Sequence, residues 1–218
     1  MPEKTDWQHL RESSFLIDGP AGKLELLCNG VSDTARGLAL ICHPHPLFAG
    51  TLSNKVVFTL ARVLRDSGFI AVRFNFRGVG ASEGTHDDGV GEIEDARAVL
   101  AWIKEHNPTL PVVLGGFSFG AAIATKLAQT DPCKLLVLIA PPVPRWGTHT
   151  VHQLPCSTCI VQADDDELVD VQLAKQWFNA LQAPRKKIVE FAEGGHFFHS
   201  SLPALRSSVE TCINELLD

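Results

Sequence analysis

The chain has 218 residues, 45% hydrophobic and 20% charged, a balance that supports one buried core and excludes a disordered or fibrous polymer. Its formal net charge is -6, and its one tight basic cluster, Arg185-Lys186-Lys187, precedes a strand-like run, so no nucleic-acid partner is expected. The opening MPEKTDWQHL lacks the apolar core of a secretory leader, and no apolar run approaches a membrane span. The expectation is a cytoplasmic protein with no membrane partner. The six cysteines, 28, 42, 133, 156, 159 and 212, sit mostly in apolar segments of a chain too large to need disulfide staples. They read as reduced core residues, and Cys156-x-x-Cys159, with no second pair, reads as coincidence rather than a metal or redox motif.

No repeat, linker or low-complexity tract divides the chain, which is read as one domain over 1–218. Near the N-terminus, SFLIDGPAGKLELLC reads as two β-runs around a Gly-Pro turn. From there strands and helices alternate. GLALIC is a buried strand, LSNKVVFTLARVLRDSG an amphipathic helix stopped by Gly68, and FIAVRFNF a strand. GEIEDARAVLAWIKEH reads as a helix with its acids early and its bases late, as the helix dipole favours. PVVLGGF, KLLVLIA, TCIVQA and KKIVEF are further strands; FGAAIATKLAQ, VQLAKQWFNALQ and LPALRSSVETCINELL are helices. Helices of this length between short apolar strands predict parallel crossovers and an α/β sheet covered on both faces. Such sheets hold their ligands at the C-terminal ends of the strands.

Three strand ends carry chemistry. After VVLG comes Gly116-Phe117-Ser118-Phe119-Gly120, a G-x-S-x-G placed between a strand and a helix. A sharp turn there forces the serine backbone into an unfavourable conformation and lifts Oγ clear of the sheet, while side chains at the flanking glycines would collide with neighbouring elements. TCIVQA ends in Asp164-Asp165-Asp166-Glu167, and KKIVEF is followed by Glu193-Gly194-Gly195-His196, whose glycines predict a mobile loop. The chain order is thus Ser, Asp, His, each just past a strand, which is the order of α/β-hydrolases rather than of trypsin- or subtilisin-type folds. His43-x-His45 after the third strand could instead begin a metal site, but no further ligands stand at a recognisable spacing.

Two longer stretches, HPHPLFAGTLSNKVV (His43–Val57) and RFNFRGVGASEG (Arg73–Gly84), resemble the α/β-hydrolase superfamily, in particular small cap-less bacterial serine hydrolases sharing HPHPLFxGT and RFNFRGVGxSEG. The resemblance implies an α/β-hydrolase fold: a mostly parallel central sheet with an N-terminal antiparallel hairpin and helices on both faces. It implies Ser118 as nucleophile, His196 as base and Asp166 as orienting acid. Asp166 is preferred to Asp164 and Asp165 because Ala163-x-x-Asp166-x-x-Val169 matches the superfamily's G-x-x-D-x-x-V apart from Ala for Gly. The oxyanion would rest on the Phe119 N–H and on a donor from the 43–48 loop. Pro44 and Pro46 have no N–H, leaving His45 or Leu47, with Leu47 preferred. Of the loop's two imidazoles, one is expected to pack beneath it and the other to face the site. Asn75 stands where the superfamily has Asp, Arg77 is expected to tie loops together, and Ser82 and His199 to serve structure.

Between KLLVLIA and TCIVQA lies only PPVPRWGTHTVHQLPCS, too short and too rich in Pro and Gly for a helical cap. An open apolar groove is expected, walled by Leu47, Phe48, Phe117, Phe119, residues 142–145, Trp146 and Phe197. The expected activity is hydrolysis of carboxylic esters or thioesters of small to medium acyl groups through an acyl-enzyme, without cofactor or metal. A peptidase or amidase of the same fold is the alternative within the class, and a non-catalytic binding protein of that fold the alternative outside it.

Overall fold

A computed structural model of the chain describes residues 12–29 and 35–217. The N-terminal stretch read above for a leader lies outside them. The hairpin is β1 (Glu12–Gly19) and β2 (Gly22–Asn29), closed at Gly19 opposite Gly22. Then come β3 (Gly37–Cys42), α1 (Lys55–Asp66), β4 (Phe69–Phe74), α2 (Val90–His106), β5 (Val112–Phe117) and α3 (Phe119–Thr130). The chain finishes with β6 (Leu135–Ile139), β7 (Ser157–Ala163), α4 (Val171–Ala180), β8 (Lys186–Phe191) and α5 (Leu202–Leu217). All eight strands share one sheet in the order β1-β2-β4-β3-β5-β6-β7-β8. β2 pairs antiparallel with β1 and β4, and every pairing from β4 onward to β8 is parallel.

The apolar runs are continuous because these strands are covered on both sides. β3, β4, β5 and β6 are buried at every position, whereas the edge strand β8 is half-exposed. One core lies between the sheet and α2, α3 and α4, around Leu100, Leu127 and Trp177; the other lies under α1 and α5, around Leu60 and Val209. Side chains alternate across a strand, which also settles the Cys-x-x-Cys. Cys156 belongs to the first core and Cys159 to the second, so they face away from each other, and all six thiols are free.

Boundaries shift where a side chain caps or leaves an element. The helix expected from Leu52 begins at Lys55, because the Asn54 carboxamide accepts from Val56 N and Val57 N at 2.9 and 3.4 Å. β4 stops at Phe74 rather than Phe76. Asn75 turns out of the ladder, accepting from Leu52 N at 2.8 Å and donating to Glu25 Oε2 at 2.7 Å. A carboxylate could not make that donation, a local reason for Asn at this position.

Between β5 and α3 the backbone packs directly on backbone. Ser118 has φ 54° and ψ -120°, and its N–H donates to Ile139 O at 2.9 Å. A Cβ on Gly116 would lie 2.2 Å from Gly120 O, and one on Gly120 would lie 2.2 Å from Cys42 O. Neither neighbour is a flexible side chain that could yield. Gly120→Ala is therefore expected to lower stability by about 3 kcal/mol, the upper range for overpacking a tight interior, read as a lower urea midpoint at unchanged m-value.

Candidate active site

The three strand ends meet. His196 Nε2 lies 3.0 Å from Ser118 Oγ, and His196 Nδ1 lies 2.9 and 3.1 Å from the two carboxylate oxygens of Asp166. His196 and Asp166 are buried, while Ser118 is partly open to the surface. The Asp166 carboxylate also accepts from Gln162 Nε2 at 3.1 Å and from Leu168 N and Val169 N, each at 2.9 Å. Burial pushes the Asp166 carboxyl up, but His196 and the two backbone donors outweigh it and hold the group below its ordinary value of 3.8.

The other acids of the run hold the histidine loop. Asp165 Oδ1 accepts from Gly195 N at 2.8 Å and Gly194 N at 2.9 Å, and Glu167 Oε2 accepts from His196 N at 2.9 Å. Three consecutive backbone donors thus end on two carboxylates, and the loop expected to be mobile is tied down. Gly195, at φ 57°, takes the left-handed conformation that lines these donors up. Asp164 faces the other way and pairs with Lys175 at 2.8 Å. The sequence reading treated Asp164 and Asp165 as rivals of Asp166 and did not foresee the anchoring role of Asp165 and Glu167. The signal was present in an acidic run standing opposite two glycines.

The loop after β3 is fixed from beneath. His43 is fully buried; its Nδ1–H donates to Pro44 O at 2.6 Å, and its Nε2 accepts from Phe76 N at 3.0 Å. Burial pulls its titration down to about 4, so the ring is neutral at physiological pH. His45 is half-buried and faces the pocket, its ring 5.1 Å from Phe119, 4.8 Å from His86 and 5.3 Å from Trp146. Burial, with the neighbouring His86, lowers its pKa below the usual imidazole value. Leu47 N, the preferred oxyanion donor, instead donates to His45 Nδ1 at 3.2 Å, within its own turn, and its side chain points outward. The His45 N–H and the Phe119 N–H make no hydrogen bond to a described residue.

Ser118 and His196 open onto a pocket of about 410 Å³ lined by Pro44, Phe48, Trp146, Leu168 and Phe197, among others. Of the residues expected to wall the groove, Phe48, Trp146 and Phe197 line this pocket. Phe117 does not: it is fully buried, its ring 5.0 Å beneath that of His196, because its side chain falls on the α1–α5 side of β5. The Phe119 ring is likewise buried, in a cluster with His45, Phe76 and Trp146. Arg77 spans loops as expected, donating to Asp95 at 2.7 Å and to Gly91 O at 2.8 Å. Ser82 Oγ donates to Asn75 O, and His199 stacks on Phe197. Two other hollows, at the opposite end of the sheet near Pro111 and Lys134, hold none of these residues. Among the described residues no group of three or more His, Cys, Asp or Glu is placed to hold a metal ion, and no helix is long and apolar enough to cross a membrane.

A mostly parallel sheet with a serine at the β5–α3 turn and an Asp and a His beyond later strands defines the α/β serine hydrolase architecture. The chain belongs to the α/β-hydrolase fold family, whose model matches residues 41–155. It is similar to an α/β serine hydrolase homologue from Coxiella burnetii, at 41% identity and a TM-score of 0.87 over 94% of this chain and 97% of that one. A serine hydrolase without lid from Xanthomonas campestris is 34% identical, with a TM-score of 0.86 over 94% of each chain. The lysophosphatidylserine lipase ABHD12 of Bos taurus is 28% identical over an alignment that covers 73% of this chain and only 50% of that protein's length.

Two measurements test this geometry without reference to activity. The Asp165 carboxyl is held below its ordinary value by the N–H groups of Gly195 and Gly194, so its bonds are present above 3.8 and are lost as pH falls below that value. Asp165→Ala is expected to speed hydrogen exchange at the Gly194 and Gly195 amides by about tenfold or more at neutral pH, as read by NMR. For His43, the lowered folded-state value means that between 6.5 and about 4 the unfolded chain binds a proton that the folded chain refuses. Stability should therefore fall across that window as pH drops, by about 3 kcal/mol in total, and urea midpoints of His43→Gln should lack this slope.

Proposed function

We propose that this protein is a serine hydrolase that cleaves carboxylic esters or thioesters of small to medium acyl groups through an acyl-enzyme. The observation that carries the reading is the Ser118–His196–Asp166 row, with bonds of 3.0 and 2.9 Å, at the mouth of a largely apolar pocket. His196 takes the Ser118 proton as Oγ attacks the acyl carbon, giving a tetrahedral oxyanion. The Phe119 N–H at the start of α3 and the His45 N–H donate to that oxygen, in a field favoured by the helix N-terminus. Asp166 holds the imidazole with its proton on Nδ1 and stabilises the imidazolium. His196 then gives its proton to the leaving alcohol or thiol as the carbon–oxygen or carbon–sulfur bond breaks. In the second half a water loses its proton to His196, attacks the acyl carbon and releases the acid, restoring Ser118.

The absence of a cap between β6 and β7 supports substrates that do not require full enclosure, such as short aryl and alkyl esters. The bovine relative, named as a lipase, supports ester chemistry for this half-length match. Ser118→Ala should abolish both p-nitrophenyl acetate turnover and labelling by a fluorophosphonate probe, and Asp166→Asn should lower kcat by about 10⁴-fold. Labelling that persists in Ser118→Ala would overturn the nucleophile, and a wild type that neither turns over nor labels would favour a binding protein of this fold.

A further inference from the structure

One end of the pocket carries a charge that the proposed chemistry does not use. Arg145 is the only Lys or Arg among the residues lining it, is solvent-exposed, and makes no ion pair with a described residue. The acids nearby keep their charge but are held by neutral donors rather than by Arg145. Asp88 accepts from Trp146 Nε1 at 3.0 Å, and Glu167 is bound to the His196 backbone on the other side of Ser118. Arg145 directly precedes Trp146, whose ring lies 5.3 Å from that of His45, which places Arg145 at the His45–Trp146 end of the pocket. Its backbone is held firmly: Arg145 N donates to Pro142 O at 2.8 Å, and the next residue, Trp146, is locked at φ 48° with its ring 4.9 Å from Phe119. A non-glycine residue in that conformation is strained, and strain of this kind is kept where surrounding contacts over-determine it.

The pocket lining thus carries one cation, Arg145, and one carboxylate, Glu167, with the Asp88 carboxylate held at the Trp146 ring nearby. We propose that Arg145 forms an anion subsite, and that the preferred substrates are esters carrying a carboxylate or phosphate group on the arm that reaches the His45–Trp146 end. A guanidinium suits either anion, because its planar donors match two oxygens at once. Glu167, bound to the His196 backbone, disfavours the same group on that side of Ser118. This inference rests on the hydrolase reading for its chemistry, but anion recognition itself does not need turnover.

The test uses two matched pairs of esters, one with the charge on the leaving group (4-acetoxybenzoate against 4-acetoxybenzamide) and one with it on the acyl chain (mono-4-nitrophenyl adipate against its primary amide). The quantity read is the acid-to-amide ratio of kcat/KM, which cancels the intrinsic reactivity of each ester when variants are compared. In at least one pair, Arg145→Gln should lower that ratio by about three- to tenfold, Arg145→Glu should lower it further, and Arg145→Lys should restore part of it. Added salt should shrink the wild-type preference. Binding is read separately in Ser118→Ala protein by following the Trp146 indole NMR signal during titration with 4-hydroxybenzoate and with 4-hydroxybenzamide. The acid should bind more tightly, and the difference should vanish when Arg145→Gln is added. Ratios and affinities indifferent to Arg145→Gln and Arg145→Glu overturn the subsite while leaving the hydrolase intact. An acid preference in the titration from a wild type that cleaves neither pair overturns the hydrolase and leaves the subsite standing.

Discussion

The site depends on a place where main chain rests on main chain. Gly116 and Gly120 bring β5 and α3 together, and bring α3 against the end of β3, so closely that a single methyl group at either would strike a carbonyl oxygen at 2.2 Å. This contact forces Ser118 to φ 54°, a region that L-residues with a side chain avoid, and its N–H is held by the neighbouring strand through Ile139 O. The hydroxyl is thereby presented at the sheet's edge with little freedom to turn away, and the first free N–H of α3 lies beside it. Every later placement refers to this turn: the β3 loop passes over Gly120, and the histidine loop must reach back across β6 and β7 to find Oγ.

That reach is long, and four successive acids divide the work of supporting it. Asp164 anchors α4 through Lys175, Asp165 and Glu167 hold the backbone of residues 194–196, and only Asp166 turns inward to the imidazole. Asp166 points in because its carboxylate is met there by the N–H groups of Leu168 and Val169 and by Gln162. A buried carboxylate needs such donors to stay ionised. The glycines before His196, which read as looseness, have the opposite effect: they expose three amide donors to the carboxylates without side chains in the way. On the other flank the neutral His43 does similar work, joining the β3 loop to the start of the β4 loop from within the core.

Much of this was legible in the chain because period and punctuation agree over every element. Continuous apolar strands alternate with amphipathic helices, and G-x-S-x-G falls on the strand-to-helix junction. What escaped reading is what depends on which face a residue takes or on which distant atom it meets. Phe117 and Phe119 flank the serine symmetrically in the sequence, yet both rings are buried, one under each face of the sheet. Leu47 offers a free amide on paper but spends it on the ring of His45, two residues back. The ties of Asp165 and Glu167 span about thirty residues and have no local pattern at all. The start of α1 was displaced from Leu52 to Lys55 by the single carboxamide of Asn54.

Residues 141–156 connect β6 to β7 through short 3-10 turns within Arg145–Thr150, interrupted at Trp146 and Gly147. Nothing folds down over the serine from there, and the rim instead shows bare Phe48 and Leu168, 81% and 61% exposed. On the proposed hydrolase reading, an acyl group resting on Oγ would thus stand within sight of bulk solvent throughout its lifetime. Transfer to any other alcohol or amine would have to outrun water arriving from an unguarded side, so the architecture leans toward cleavage and away from synthesis.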